Sequence, residues 1–295
     1  MNVYRLPAPT PHTCTTCESG VVVTTTLDRC RLRAVLCRCR AHCATCDGSG
    51  YTFHRDANGA MISSACDECA PLRDRIERFN ATGIPPRYLH ATWASYKPSD
   101  PSQFRALQWF EAHRADWQPS DRGLILAGPP GTGKTHLMCA WLRHLALERG
   151  IAGRFVEFSH LLSDIRAGYS AGKSDAEIIR HLTATPVLVI DELGKSLSTD
   201  WQQSILDTLI SQRYERGLAT LFTSNYEFHA AAGARRSSVE SSANEFKHRT
   251  LEEIVGSRIA SRLDEMCDRV TLTGADYRRK RSQEWAPTYG GGDAD

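Results

Sequence analysis

From Gln103 onward, short apolar runs alternate with longer stretches whose apolar residues recur every three or four positions. That alternation predicts strands interleaved with helices. Gly123–Ala127 (GLILA) and Pro186–Ile190 (PVLVI) are apolar throughout, as strands buried on both faces of a parallel sheet are. Arg154–Phe158, Ala219–Thr223 and Arg269–Leu272 are predicted as further strands. Helices are predicted over Gln103–His113, over Trp201–Arg216 with Gly217 after it, and over Thr135–Arg149 with Gly150 after it. Leu137, Met138, Trp141, Leu142 and Leu145 mark one face of the last of these. Ser159 is read as the cap of a short helix, and Ser174 or Asp175 as the cap of another. One helix is predicted from Glu245 to Met266. The whole pattern is that of an α/β fold with a parallel sheet between helices.

Elsewhere the periodicity fails. Residues 1–12 are Pro-rich and read as a loose tail. Leu72–Phe79 reads as a short charged helix. Residues 81–102 carry Pro85, Pro86, Pro98 and Pro101, and read as a connector that packs its aromatics onto the next domain. Glu227–Asn244 is rich in Ala, Ser and Arg and is read as a flexible insertion. The chain ends in YGGGDAD, a tail.

Composition narrows the class. With 41% apolar and 24% charged residues, the 295-residue chain has the balance of a soluble globular protein, long enough for a large domain and a small one. No apolar run is long enough to span a bilayer, and MNVYRLPAPTPH lacks the apolar centre of an export signal, so a cytoplasmic protein is expected. The net charge of +2 does not mark a nucleic-acid binder, so any such contact must be local. The 11 cysteines are more informative, because nine of them precede residue 70. In a chain without an export signal, clustered cysteines read as metal ligands rather than disulfides.

The sequence Gly128-Pro129-Pro130-Gly131-Thr132-Gly133-Lys134-Thr135 fits G-x-x-x-x-G-K-[ST], with a predicted strand before it and a helix after it. Its glycines let backbone N–H groups face phosphates, and the helix N-terminus adds partial positive charge. Lys134 would reach the β- and γ-phosphates of ATP, and Thr135 would offer its hydroxyl to Mg²⁺. Val187–Ile190 leads into Asp191 and Glu192, an apolar strand ending in two carboxylates. Asp191 would hold Mg²⁺ and Glu192 would polarise the attacking water. Thr223-Ser224-Asn225 ends the next strand, where Asn225 would touch the γ-phosphate and that water.

The order GPPGTGKTHL, LVIDELG, WQQSILDTLISQRYERGLATLFTSNY and GSRIASRLDEMC resembles the DnaC/DnaI/IstB branch of AAA+ ATPases. IPPRYLHATWASY resembles that branch's lead-in, and the resemblance covers roughly Gly83–Arg279. It implies a RecA-like core that assembles side by side on single- or double-stranded DNA, with ATP at each subunit interface. It also implies an arginine supplied to the neighbouring site; Arg262 matches best, and Arg258 one turn earlier is its rival. The Ala/Ser/Arg-rich stretch is longer than the family usually has, which unsettles that register. The chain after the last strand is too short for a helical lid. Phe158, Arg166, Tyr169 and Lys173 are candidate single-strand contacts.

Ahead of the core, Cys43-x-x-Cys46 and Cys66-x-x-Cys69 form two knuckles with 19 residues between them, a layout that suits Zn²⁺ held by four thiolates. CATCDGSGY also resembles the DnaJ cysteine-rich repeats. Cys14-x-x-Cys17 and Cys37-Arg-Cys39 repeat the spacing, again with 19 residues between, as a second zinc hairpin in which Cys30 or His42 can replace a ligand. Arg29, Arg31, Arg33, Arg38 and Arg40 either bind phosphate or an acidic partner, or balance the thiolates. Cys139 and Cys267 read as buried packing residues on helix faces.

The expected organisation is a zinc module over 1–80, a connector and helix over 81–118, a lidless AAA+ core over 119–285 and a tail over 286–295. The resemblance implies an ATPase requiring ATP, Mg²⁺ and Zn²⁺ that loads a replicative helicase onto single-stranded DNA as a homo-oligomer. The alternatives are a transposition helper of the IstB kind, serving a transposase, and a nucleotide-gated adaptor with little hydrolysis.

Overall fold

The computed structural model describes residues 14–15, 17, 20–26, 31–40, 43–195, 197–228 and 249–278. The Pro-rich start, Arg29, Cys30, His42, all but the first two residues of 227–244, and the final tail lie outside them. The chain divides into two compact units, Met1–His90 with Leu142–Arg154, and Ala91–Trp141 with Phe155–Asp295.

The first unit contains two antiparallel hairpins, β1 (Val21–Thr25) with β2 (Leu32–Leu36), and β3 (Tyr51–Arg55) with β4 (Met61–Ala65). In each, a cysteine follows the second strand and its N–H returns to a glycine carbonyl before the first: Cys37 to Gly20 at 2.8 Å, Cys66 to Gly50 at 2.9 Å. The two hairpins thus share one closing geometry. The turn of the second hairpin is built by Asp56, whose carboxylate accepts the N–H groups of Asn58 and Ala60, with Gly59 at φ 81°. Helix α1 (Ala70–Asn80) joins the hairpins: Leu72 lies against Gly20 and Arg73 against Gly50. Its last side chain, Asn80, accepts the Ala34 N–H at 2.7 Å and donates to the Ala34 carbonyl, taking the place of a neighbouring strand.

The second unit opens with α2 (Pro101–His113), capped by Asp100. A parallel sheet has the order β6-β7-β8-β5-β9, from β5 (Gly123–Ala127), β6 (Gly153–Glu157, of which Gly153 and Arg154 count with the first unit), β7 (Val187–Asp191), β8 (Thr220–Ser224) and β9 (Cys267–Thr271). Strands β5, β7 and β8 are buried at every position, which is why they read as continuous apolar runs. Around the sheet run α3 (Lys134–Leu147), α4 (Phe158–Ser170), α5 (Asp175–Ala184), α6 (Asp200–Glu215), α7 (Leu251–Val255) and α8 (Ser257–Met266). Leu188, Ile190 and Phe222 of the sheet meet Ile165, Leu206, Leu209 and Leu263 of the helices in one core. The connector does pack its aromatics: Trp93 lies 5.1 Å from Phe110 and 6.1 Å from Trp141, ring centre to ring centre.

Arg213 of α6 is fully buried. Its guanidinium donates to the carbonyls of Leu182, Thr185 and Ala219 and to the Thr220 hydroxyl, at 2.6–2.8 Å. Burial, with Arg216 nearby, pulls its pKa down to about 9. One side chain therefore ties the end of α5 to the starts of β7 and β8.

The structure corrects several expectations. Ser159 caps nothing; α4 already begins at Phe158, and the Ser159 hydroxyl donates to Glu157. Ser174 is the cap of α5, in a reciprocal pair with Glu177. The single helix expected over 245–266 is two helices, broken by Gly256 at φ 85°, with 245–248 outside the described residues. Phe158 is buried in the core, so it cannot stack on a base. Cys139 and Cys267 are both buried, but Cys267 heads β9 rather than lying on a helix.

Candidate functional site

The C-terminal ends of β5, β7 and β8 lie in register, with Ile190 and Ile125 both opposite Phe222, and Ala127 opposite Ser224. Whatever follows these strands therefore gathers at one edge of the sheet, where ligands bind in open α/β sheets. The loop 128–135 follows β5, Asp191 ends β7, and Thr223 and Ser224 end β8.

Three glycines shape the loop, Gly128 at φ 130°, Gly131 at φ 80° and Gly133 at φ 92°. Each is also crowded. A methyl group at Gly128 would meet the Leu272 carbonyl, at Gly131 the Asp276 carboxylate, and at Gly133 the Tyr96 ring. The Thr132 carbonyl between the last two accepts from the Tyr96 hydroxyl at 3.0 Å and from Gln103 at 3.4 Å. Helix α3 starts at Lys134, directly behind the loop, so its first-turn N–H groups are available to an anion. The Lys134 ammonium is buried and donates to the carbonyls of Gly128 and Pro129, both at 2.7 Å. Burial pulls its pKa down to about 8; Asp191 counteracts this and Arg278 adds to it.

Two hydroxyls converge on one carboxylate oxygen. Thr135 Oγ1 donates to Asp191 Oδ1 at 2.8 Å and Thr223 Oγ1 donates to the same atom at 2.5 Å. A hydroxyl beside a carboxylate is a donor set of hard oxygens, which fits Mg²⁺. Thr223 Oγ1 also accepts the Glu192 N–H at 3.0 Å. Glu192 needs that support, because its φ of 59° lies in the left-handed region, at a cost of roughly 1 kcal/mol or more for a non-glycine residue. Its carboxylate is paired with Lys195. Asn225 is exposed just beyond β8.

Sequence reasoning singled out Asn225 but missed Thr223 as the group joining Asp191 to Glu192. It also missed Gly274–Arg278, where the Tyr277 N–H donates to the Gly131 carbonyl at 3.1 Å. A short polar stretch after the last strand has no periodicity to reveal such a role. Arg262 Nη1 donates to Asp207 at 2.9 Å and to Ser211 at 2.5 Å, both on α6, and its side chain is 20% exposed. The Arg258 side chain is 72% exposed and 3.8 Å from Asp207.

The eight predicted cysteine ligands form two groups of four, Cys14, Cys17, Cys37 and Cys39, and Cys43, Cys46, Cys66 and Cys69, with all sulfurs of a group within 4.8 Å of one another. The cross-knuckle pairs lie at 3.9 and 3.6 Å in the first group and 3.7 and 3.5 Å in the second. Four sulfurs at tetrahedral Zn–S bond lengths stand about 3.8 Å apart, so both groups fit Zn²⁺. The Gly50 N–H points at Cys46 Sγ, 3.3 Å away, as a partner to a thiolate does. Burial and the neighbouring sulfurs push Cys39 and Cys69 up to about 12, while against the effect of burial the Gly50 N–H and the neighbouring thiols pull Cys46 down to about 6, so protons are shared unevenly among the crowded sulfurs. Both groups therefore could bind zinc.

A family model for IstB-like ATP-binding proteins matches residues 90–284. The chain belongs to that family. As a member of it, it is an ATP-binding protein of the AAA+ kind, and the matched residues begin after the cysteine groups. The replicative helicase loader DnaC of Escherichia coli is 26% identical over 172 residues, covering 57% of this chain and 70% of the loader. A putative ATP-binding protein in an insertion sequence of Mycobacterium tuberculosis is 37% identical over 109 residues, 37% of this chain and 43% of that protein. A crystal structure of the DnaC helicase loader has a TM-score of 0.53 at 29% identity, over 63% of this chain and 99% of that one. No helix among the described residues is long and apolar enough to cross a membrane.

Proposed function

We propose that this IstB-like ATP-binding protein hydrolyses ATP as a homo-oligomer on DNA and loads a replicative helicase onto single-stranded DNA. The observation that carries the hydrolytic part is the convergence of Thr135 and Thr223 on Asp191, with Glu192 held beside it by the same threonine. Lys134 and the loop N–H groups take the phosphates. Thr135 and Asp191 would hold Mg²⁺, which would offset the negative charge of the phosphates. Glu192 polarises the attacking water once Lys195 releases it, and Asn225 orients that water against the γ-phosphate. An arginine of α8 completes the neighbouring subunit's site. Arg262 is anchored to α6 and must leave Asp207 to act there, while Arg258 is the freer of the two. Cys14, Cys17, Cys37 and Cys39, and Cys43, Cys46, Cys66 and Cys69, would each hold a zinc ion that fixes the N-terminal hairpins.

The loader reading rests on a match that runs through 70% of the Escherichia coli loader. The insertion-sequence relative favours a second reading, a helper of a transposase, through its higher identity over a shorter stretch. To separate them, the full zinc-loaded chain with ATP is immobilised and offered the host's replicative helicase and any resident transposase. Retention of the helicase is expected; retention of the transposase alone would replace the loader reading. Glu192→Gln is expected to bind ATP but lose turnover, and unchanged turnover would refute its role. Lys134→Ala is expected to lose nucleotide binding. A DNA-stimulated turnover assay of the wild-type chain excludes or establishes a non-hydrolysing adaptor.

A further inference from the structure

Four of the large apolar side chains that face solvent lie on one small element. In β3 and β4, Tyr51 is 56% exposed, Phe53 65%, Met61 59% and Ile62 42%. No residue of either strand is buried, so this hairpin contributes nothing to an apolar core. The cysteine cluster at its base fixes the backbone, which leaves its side chains free for recognition.

Their arrangement says what they recognise. Alternate residues of a strand share a face, so Tyr51, Phe53 and Arg55 project together at intervals of about 7 Å. Across the hairpin, Tyr51 pairs with Ala65 and Phe53 with Ser63. Both opposing side chains are small, so both rings stay uncovered. Arg55 completes the row opposite Met61, and its Nη1 donates to the Gly59 carbonyl at 2.8 Å. That bond steadies the guanidinium and leaves its other N–H groups to an incoming anion. The four hairpin strands carry Arg33, His54 and Arg55 and not one carboxylate. Asp56, next to Arg55 in sequence, is engaged by two N–H groups of its own turn.

We infer that this face of β3–β4 is a stacking platform for single-stranded nucleic acid, with bases on Tyr51 and Phe53 and a phosphate on Arg55. Exposed aromatics on a strand, spaced for successive bases and followed by a cation, bind single strands with little regard to sequence. A protein-docking patch would present contiguous apolar cover, whereas on this face Ser63 lies opposite Phe53 and Arg55 ends the row. The inference calls on no residue of the ATPase site, so it stands or falls apart from the helicase-loader reading.

The test uses the full zinc-loaded chain without nucleotide and a fluorescein-labelled oligo(dT), read by anisotropy. The double variant Tyr51→Ala/Phe53→Ala is expected to weaken binding about tenfold or more, with zinc content and basal ATP turnover unchanged. Phe53→Trp is expected to keep the affinity, and its added indole emission is expected to be quenched by the oligonucleotide. Arg55→Ala is expected to lower the salt dependence of binding by roughly one ion. Wild-type affinity in the double variant, or an unquenched indole at saturating oligonucleotide, would overturn the platform. So would loss of helicase or transposase capture in the double variant with oligonucleotide binding intact, since that makes the face a protein-docking surface. If the double variant loses zinc, the indole signal decides alone.

Discussion

Strands β5, β7 and β8 are buried at every position, whereas no residue of β3 or β4 is. The first group belongs to a unit stabilised by apolar burial, at roughly 1.5–3 kcal/mol for each large side chain removed from water. The second belongs to hairpins whose interior is mostly sulfur, with Val21, Leu32 and Ala34 as the buried apolar residues of the four strands. Two-stranded hairpins are marginal in water on their own. What each unit can spare differs accordingly: the sheet must keep its side chains inward, and the hairpins can turn theirs outward.

The strongest way to break this comparison is to chelate the zinc proposed for the two cysteine groups. Structural zinc contributes on the order of 10 kcal/mol per ion to small sites. A chelator is therefore expected to abolish amide-exchange protection over β1–β4 while β5, β7 and β8 keep theirs; equal loss in both units would sink the distinction. Cys66→Ser is expected to halve the zinc bound per chain, read by metal analysis. Next in size is Arg213→Ala, which strands the carbonyls of Leu182, Thr185 and Ala219 at a cost of about 3 kcal/mol or more. Its melting temperature is expected to fall with zinc content unchanged, the converse of the chelator experiment.

A smaller effect sharpens the nucleotide site. Burial lowers Lys134 to about 8, and bound phosphates favour its charged form and so raise it. Below pH 8 the lysine is charged with or without ATP, so affinity is flat. Above pH 8 the free protein loses that proton and must regain it on binding, so affinity is expected to fall, up to tenfold per pH unit. Calorimetry at pH 8.5 in buffers of different ionisation enthalpy is expected to show proton uptake; none would mean that Lys134 does not meet the phosphates.

The strands of the ATP-binding unit were legible because complete burial removes polar residues from them, leaving runs such as GLILA and PVLVI. The phosphate loop and the carboxylate pair were legible because each chemistry needs fixed residue types in fixed order. The knuckle spacing likewise revealed both cysteine groups. Other features depend on long-range contacts that no local pattern encodes. Gly256 breaks a stretch whose apolar spacing continues on both sides, so periodicity ran through the break. Thr223 is an ordinary strand residue until β7 is placed beside it. Tyr96 and Asp276 lie far from the loop in sequence and against it in space.

That last arrangement has a mechanical meaning. The phosphate loop is wedged between Tyr96 on one side and the Asp276–Tyr277 turn on the other, with a carbonyl at its root. A loop so confined cannot change its curvature alone. It works as a joint, and any movement that a nucleotide imposes on it displaces the chain both upstream and downstream of the sheet.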